Sequence, residues 1–69
     1  MLENWEKILV TEAGSKAELT RFLLENHGIN AVVLSKKDSS YLLGVFEVYV
    51  PKEEATLAQE ILNKENATD

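Results

Sequence analysis

Apolar residues gather in three short runs of this chain and recur at helical spacing in two longer ones. Residues 6–11 place Ile8, Leu9 and Val10 between polar neighbours and predict a first strand. Period two sends Ile8 and Val10 to one face and Trp5, Lys7, Leu9 and Thr11 to the other. Residues 16–27 predict a helix whose buried stripe is Leu19, Phe22, Leu23 and Asn26, at the i, i+3, i+4, i+7 spacing. Glu18, Arg21 and Glu25 fall outside that stripe, on the wet side.

The helix is punctuated at both ends. Ser15-Lys16-Ala17-Glu18 reads as a capping box, with the Ser15 hydroxyl accepting from the Glu18 N–H and the Glu18 carboxylate accepting from the Ser15 N–H. His27-Gly28-Ile29 reads as the stop, with Gly28 in the left-handed conformation and Leu24 in contact with Ile29. Residues 29–35 (INAVVLS) form a second strand that is nearly continuous in apolar residues, as suits a strand covered on both faces. The polar run KKDSS at 36–40 turns the chain. Residues 41–50 form a third strand, with Gly44 as a candidate bulge. Phe46, Val48 and Val50 lie on one of its faces, and Val45, Glu47 and Tyr49 on the other. Pro51 then opens a second helix, followed by Glu53 and Glu54 in its first turn. Ala55, Ala58, Ile61 and Leu62 are its buried stripe, and residues 64–69 form a tail that should fray.

The order β-α-β-β-α makes this an α/β chain, more closely an α+β two-layer sandwich. A right-handed crossover of the first unit leaves room for strand three between strands one and two. The expected sheet is three strands in the order 1-3-2, with strand three antiparallel to both neighbours and both helices on one face. That is the split βαβ arrangement of ferredoxin-like folds, here with a free edge on strand one.

Length adds a constraint. The chain has 69 residues, one domain with a core over about 5–63, and a domain this small buries only about 60% of the surface its unfolded chain exposes. No cysteine is present to staple it, so oligomerisation is the remaining common supplement. The net charge of −5 disfavours nucleic acid and anionic membrane surfaces as partners. No apolar run is long enough to span a bilayer, and the N-terminus has neither the basic region nor the apolar core of a signal peptide. The expectation is a cytoplasmic protein.

Catalytic and metal chemistry find no footing. His27 is the only histidine and sits where a cation suits a helix C-terminus; with no cysteine, a metal site would need carboxylates alone. Glu53 and Glu54 are the only adjacent acidic pair, and neighbours on a helix point apart. The Gly-aromatic pattern around Gly44 echoes an RNA-recognition strand, but Val45 and Glu47 occupy the positions that should stack bases. No catalytic residue, metal site or cofactor is therefore expected. Two surfaces remain. Trp5, Leu9, Val45 and Tyr49 would share the sheet face that no helix covers, which makes them a candidate interface. Lys36, Lys37 and Tyr41 flank the turn after strand two and are the candidate contacts for an anionic ligand.

From about residue 5 to residue 62 the chain resembles the prokaryotic signal transducing protein family. The resemblance is carried by Lys7-Ile8-Leu9-Val10, Ala17-Glu18-Leu19, Phe22-Leu23-Leu24-Glu25, Gly28-Ile29-Asn30-Ala31 and Val48-Tyr49-Val50-Pro51, then by Ala58 and Ile61-Leu62. It implies a fold similar to PII-like regulators and a role in ligand sensing or partner binding through oligomers, with no catalytic residue to carry over. The final strand and long basic loop of PII proteins themselves have no counterpart here. The resulting expectation is a non-enzymatic regulatory or protein-interaction module that forms a homo-oligomer, a dimer first, with small-molecule sensing near residues 36–41 as the alternative.

Overall fold

The computed structural model describes residues 3–37 and 44–67. Its elements are β1 (Trp5–Thr11), α1 (Gly14–Asn26), β2 (Val32–Lys36), β3 (Val45–Pro51), a 3-10 turn (Lys52–Glu54) and α2 (Ala55–Ala67). The protein is α+β: a three-stranded sheet in the order β1-β3-β2, with β3 antiparallel to both neighbours, and two helices. Ala17 and Leu24 of α1 meet Ala55, Ala58 and Ile61 of α2 in one buried cluster with Ile29, Ala31, Val48 and Val50. Val48 and Val50 share a face of the central strand, and that face is the floor of the core. Among the described residues, no helix is long and apolar enough to cross a membrane.

β1 does not alternate regularly. Lys7 stands opposite Tyr49 and Leu9 opposite Val48, so Ile8 is an extra residue, a β-bulge. Beyond it the faces exchange. Leu9 and Thr11 align with Val48 and Phe46 on the core side, while Val10 takes the opposite face beside Glu47. The bulge expected at Gly44 is thus found on the neighbouring strand; Gly44 itself immediately precedes β3.

α1 begins earlier and is turned differently from its sequence pattern. Ala13 is the N-cap residue and accepts from the Ala17 N–H at 3.2 Å. The Ala13 N–H donates in turn to the Thr11 hydroxyl oxygen at 3.1 Å. Ser15 therefore lies inside the first turn and no capping box forms. Glu18 engages Arg21 at 2.7 Å instead. Gly14 opens the helix because the Phe46 ring lies against it: a Cβ at this position would stand 3.1 Å from Phe46 Cζ. The buried face is Ala17, Thr20 and Leu24, with Leu23 packed at its side. Leu19 and Phe22, expected inside, are 69% and 60% exposed. Small side chains win the inner face because they let the helix approach the sheet closely, which Leu19 and Phe22 would prevent.

The C-terminal end matches its sequence signal. The Ile29 N–H donates to the Leu24 carbonyl and the Gly28 N–H to the Glu25 carbonyl, both at 3.0 Å, with Gly28 at φ +82°. This is a Schellman ending, and its apolar partners Leu24 and Ile29 are both buried. Pro51 ends β3 opposite Trp5 rather than opening a helix; its extended backbone (φ −57°, ψ 144°) leads into the 3-10 turn. α2 buries Ala55, Ala58 and Ile61 as expected and continues through Ala67, with Lys64 suited to the negative end of its dipole.

These placements separate substitutions that look alike in sequence. Leu24→Ala should cost about 2–5 kcal/mol. Phe22→Ala and Ser15→Ala should each stay within about 0.5 kcal/mol. Urea denaturation of the three variants checks this, and a large loss for Phe22→Ala that does not depend on protein concentration would place that ring in the core.

Candidate functional site: a charged cluster on the open sheet face

The face of the sheet turned away from the core carries no helix among the described residues. Alternation along β3 puts Val45, Glu47 and Tyr49 there. Register supplies their neighbours. Val10 of β1 and Leu34 of β2 lie directly beside Glu47; Lys7 lies beside Tyr49 and Lys36 beside Val45. Lys7 and Lys36 are therefore diagonal to Glu47 from opposite sides, a separation that long side chains can bridge.

All three strands meet at the Glu47 carboxylate, which is only 6% exposed. The Tyr49 hydroxyl donates to Glu47 Oε1 at 2.9 Å. Lys7 Nζ lies 3.4 Å from Oε2, and Lys36 Nζ lies 3.8 Å from Oε1. Burial pushes this carboxyl up, but the Tyr49 hydroxyl and the Lys36 and Lys7 ammonium groups outweigh it and hold the group below its ordinary value. The hydrogen bond to Glu47, then desolvation, keeps the Tyr49 phenol protonated to higher pH than usual. Two cations share one carboxylate, so the cluster is a locally positive spot on a chain of net charge −5.

The residues singled out from the sequence scatter relative to this cluster. Tyr49 is part of it and Lys36 is one of its cations, as the last residue of β2 rather than a loop residue. Trp5 is on the same face, half-buried opposite Pro51. Val45 is buried, so it is not free to meet a partner. Leu9 is not on this face, because the bulge at Ile8 turns it to the core. Lys37 stands apart, its stem beside Gly44. Tyr41 lies outside the described residues. Lys7 and Glu47 were visible in the sequence only as interruptions of an apolar face. Their opposite charges were the available signal, but their diagonal approach depends on register.

Elsewhere, His27 caps α1 and its N–H donates to the Leu24 carbonyl. It lines a depression of about 260 Å³ with Leu57, Ile61, Lys64 and Glu65. A larger one of about 440 Å³ runs along α2 at Leu57, Glu60, Ile61, Asn63 and Lys64. Neither shares a residue with the Glu47 cluster. Among the described residues, no three carboxylate or histidine side chains converge as a metal site would require.

A carboxyl whose pKa is lowered by folding stabilises the native state above its unfolded value, and that stability disappears as pH falls through the folded value. The melting temperature should therefore fall as pH drops from neutral past the ordinary glutamate value of 4.5, and Glu47→Gln should flatten that fall. An unchanged acid profile in Glu47→Gln would show that ionisation of Glu47 contributes nothing to stability. No family model matches this chain, and no curated protein or solved structure matches it.

Proposed function

We propose that this chain is a small non-enzymatic regulatory or protein-interaction module that acts by self-association in the cytoplasm. The observation that carries this reading is the distribution of apolar bulk. Four of the buried core residues are alanines, at 17, 31, 55 and 58. Leu19, Phe22 and Leu57 are meanwhile 49% to 69% exposed. A core floored by small side chains buries little apolar area, and exposed large ones are what an interface would cover. The element order and the 1-3-2 sheet are in keeping with a ferredoxin-like split βαβ scaffold and with the resemblance to prokaryotic signal transducing proteins. The titratable groups that do converge satisfy one another, which favours a structural rather than a catalytic role for them.

One observation favours the ligand-sensing alternative. The surplus positive charge of Lys7 and Lys36 around Glu47 suits a small anionic ligand held beside the end of β2. Sedimentation and thermal melting separate the two. Self-association predicts that both the average mass and the melting temperature rise from micromolar to millimolar protein. A monomer mass and a constant melting temperature across that range would overturn it. Stabilisation of that monomer by one specific anion would support sensing in its place.

A further inference from the structure

The sheet order leaves two outer edges among the described residues, those of β1 and β2, and they are built differently. β1 is bulged at Ile8, and Glu6, Lys7 and Val10 are exposed along it. Bulges and charges are the usual means of making an edge unfit for pairing. β2 has neither protection along its length. Its five residues pair with β3 from Val32–Tyr49 to Lys36–Val45 without a break in register, and its only charge is the terminal Lys36. It is also apolar on both faces: Val33 aligns with Val48 over the core, while Val32 and Leu34 align with Tyr49 and Glu47 on the other side. Such a strand has the composition of a sheet interior, yet it stands at an edge.

We propose that β2 is the seam through which two copies of this chain join, pairing antiparallel along their β2 edges into one continuous sheet. The inference rests on the self-association reading and gives it a geometry. A second copy fits because the strand is complementary to itself. A two-fold axis through Leu34 uses the whole strand. It sets Leu34 against the Leu34 of the second copy, Val33 against Ser35, and Val32 against Lys36. The two Lys36 residues stay at opposite ends of the seam, each beside the Glu47 of its own chain. Charge points to the same element. Two chains of net charge −5 repel one another, and β2 contains no carboxylate, whereas β1 carries Glu6. The axis is perpendicular to the sheet, so the helices of both copies cover one side. On the core side the row Leu9–Val48–Val33 then meets Ser35 of the second copy, behind which Phe46 of that copy lies.

The chain has no cysteine, which permits a direct test. Across the proposed axis the Leu34 Cβ atoms lie about 4.5–5.5 Å apart, close to what a disulfide needs. Leu34→Cys should form a disulfide-linked dimer under mild oxidation far faster than Val10→Cys, its counterpart on β1. Leu34→Lys sets two ammonium groups against each other at the axis. It should weaken dimerisation at least about a hundredfold while its circular dichroism remains that of the folded chain. Three results would overturn the seam: equal cross-linking of the two cysteine variants, faster cross-linking at position 10, or an undiminished dimer in folded Leu34→Lys. If the wild-type chain dimerises in those cases, self-association itself stands and only this geometry fails. A wild-type chain that is monomeric throughout overturns both.

Discussion

The extra residue at Ile8 is the constraint on which the rest of the sheet depends. In a regular strand Lys7 and Leu9 would share a face. Either a lysine would enter the core, or a leucine would be left beside Glu47. One inserted residue removes the conflict by sending Lys7 to the open face and Leu9 to the core. Lys7 then reaches the Glu47 carboxylate, and Leu9 packs beside Val48 and the helices. The same bulge bends the β1 edge out of the regular ladder that a further strand would need. Core composition, cluster geometry and the inequality of the two edges therefore share one local cause.

The helix layer follows from a second constraint, close approach. Ala17, Ala55 and Ala58 bring both helices down onto Val48 and Val50, and the Phe46 ring seats against Gly14 where α1 begins. The Leu24–Ile29 contact of the Schellman ending then fixes the far end of α1 and directs the chain into β2. With the inner face occupied by small residues, the rotation of α1 is decided. Leu19 and Phe22 must point outward, and Arg21 stands between Glu18 and Glu25 on the helix surface. Those exposed ion pairs add little stability. The rotation is instead held by what is buried.

The sequence pattern was readable wherever a feature was local. The order of elements, the central place of β3, the Gly28 stop and the Ala58–Ile61 face of α2 all follow from spacing or from turn chemistry. The rotation of α1 was not readable, because two stripes compete on that helix. Hydropathy favours Leu19 and Phe22, whereas packing against a near sheet favours Ala17 and Thr20. The capping box failed for a related reason: Thr11 and Ala13 start the helix before Ser15, and Arg21 draws Glu18 away. The cluster needed non-local knowledge. That Lys7, Lys36 and Glu47 converge depends on pairings between strands some forty residues apart in the case of Lys7, and on a bulge with no glycine to mark it.

Among the described residues the helices lie on one side of the sheet only, so its other side must be solved without a second apolar layer. Here the centre and the edge are treated differently. At the centre, the carboxylate of Glu47 is satisfied by Tyr49, Lys7 and Lys36, so a polar group takes a position that an apolar side chain would leave sticky. The lysine stems span the neighbouring strands, and their ammonium groups stay partly in water. At the β2 edge no such arrangement exists until Lys36, and Val32 and Leu34 remain half-buried. The two regions are joined by Lys36, which ends β2 and also binds Glu47. Pairing along β2 would shield the lysine stem from water and lower the dielectric around its ion pair, strengthening the attraction to Glu47. Association at the edge and charge satisfaction at the centre would then reinforce one another.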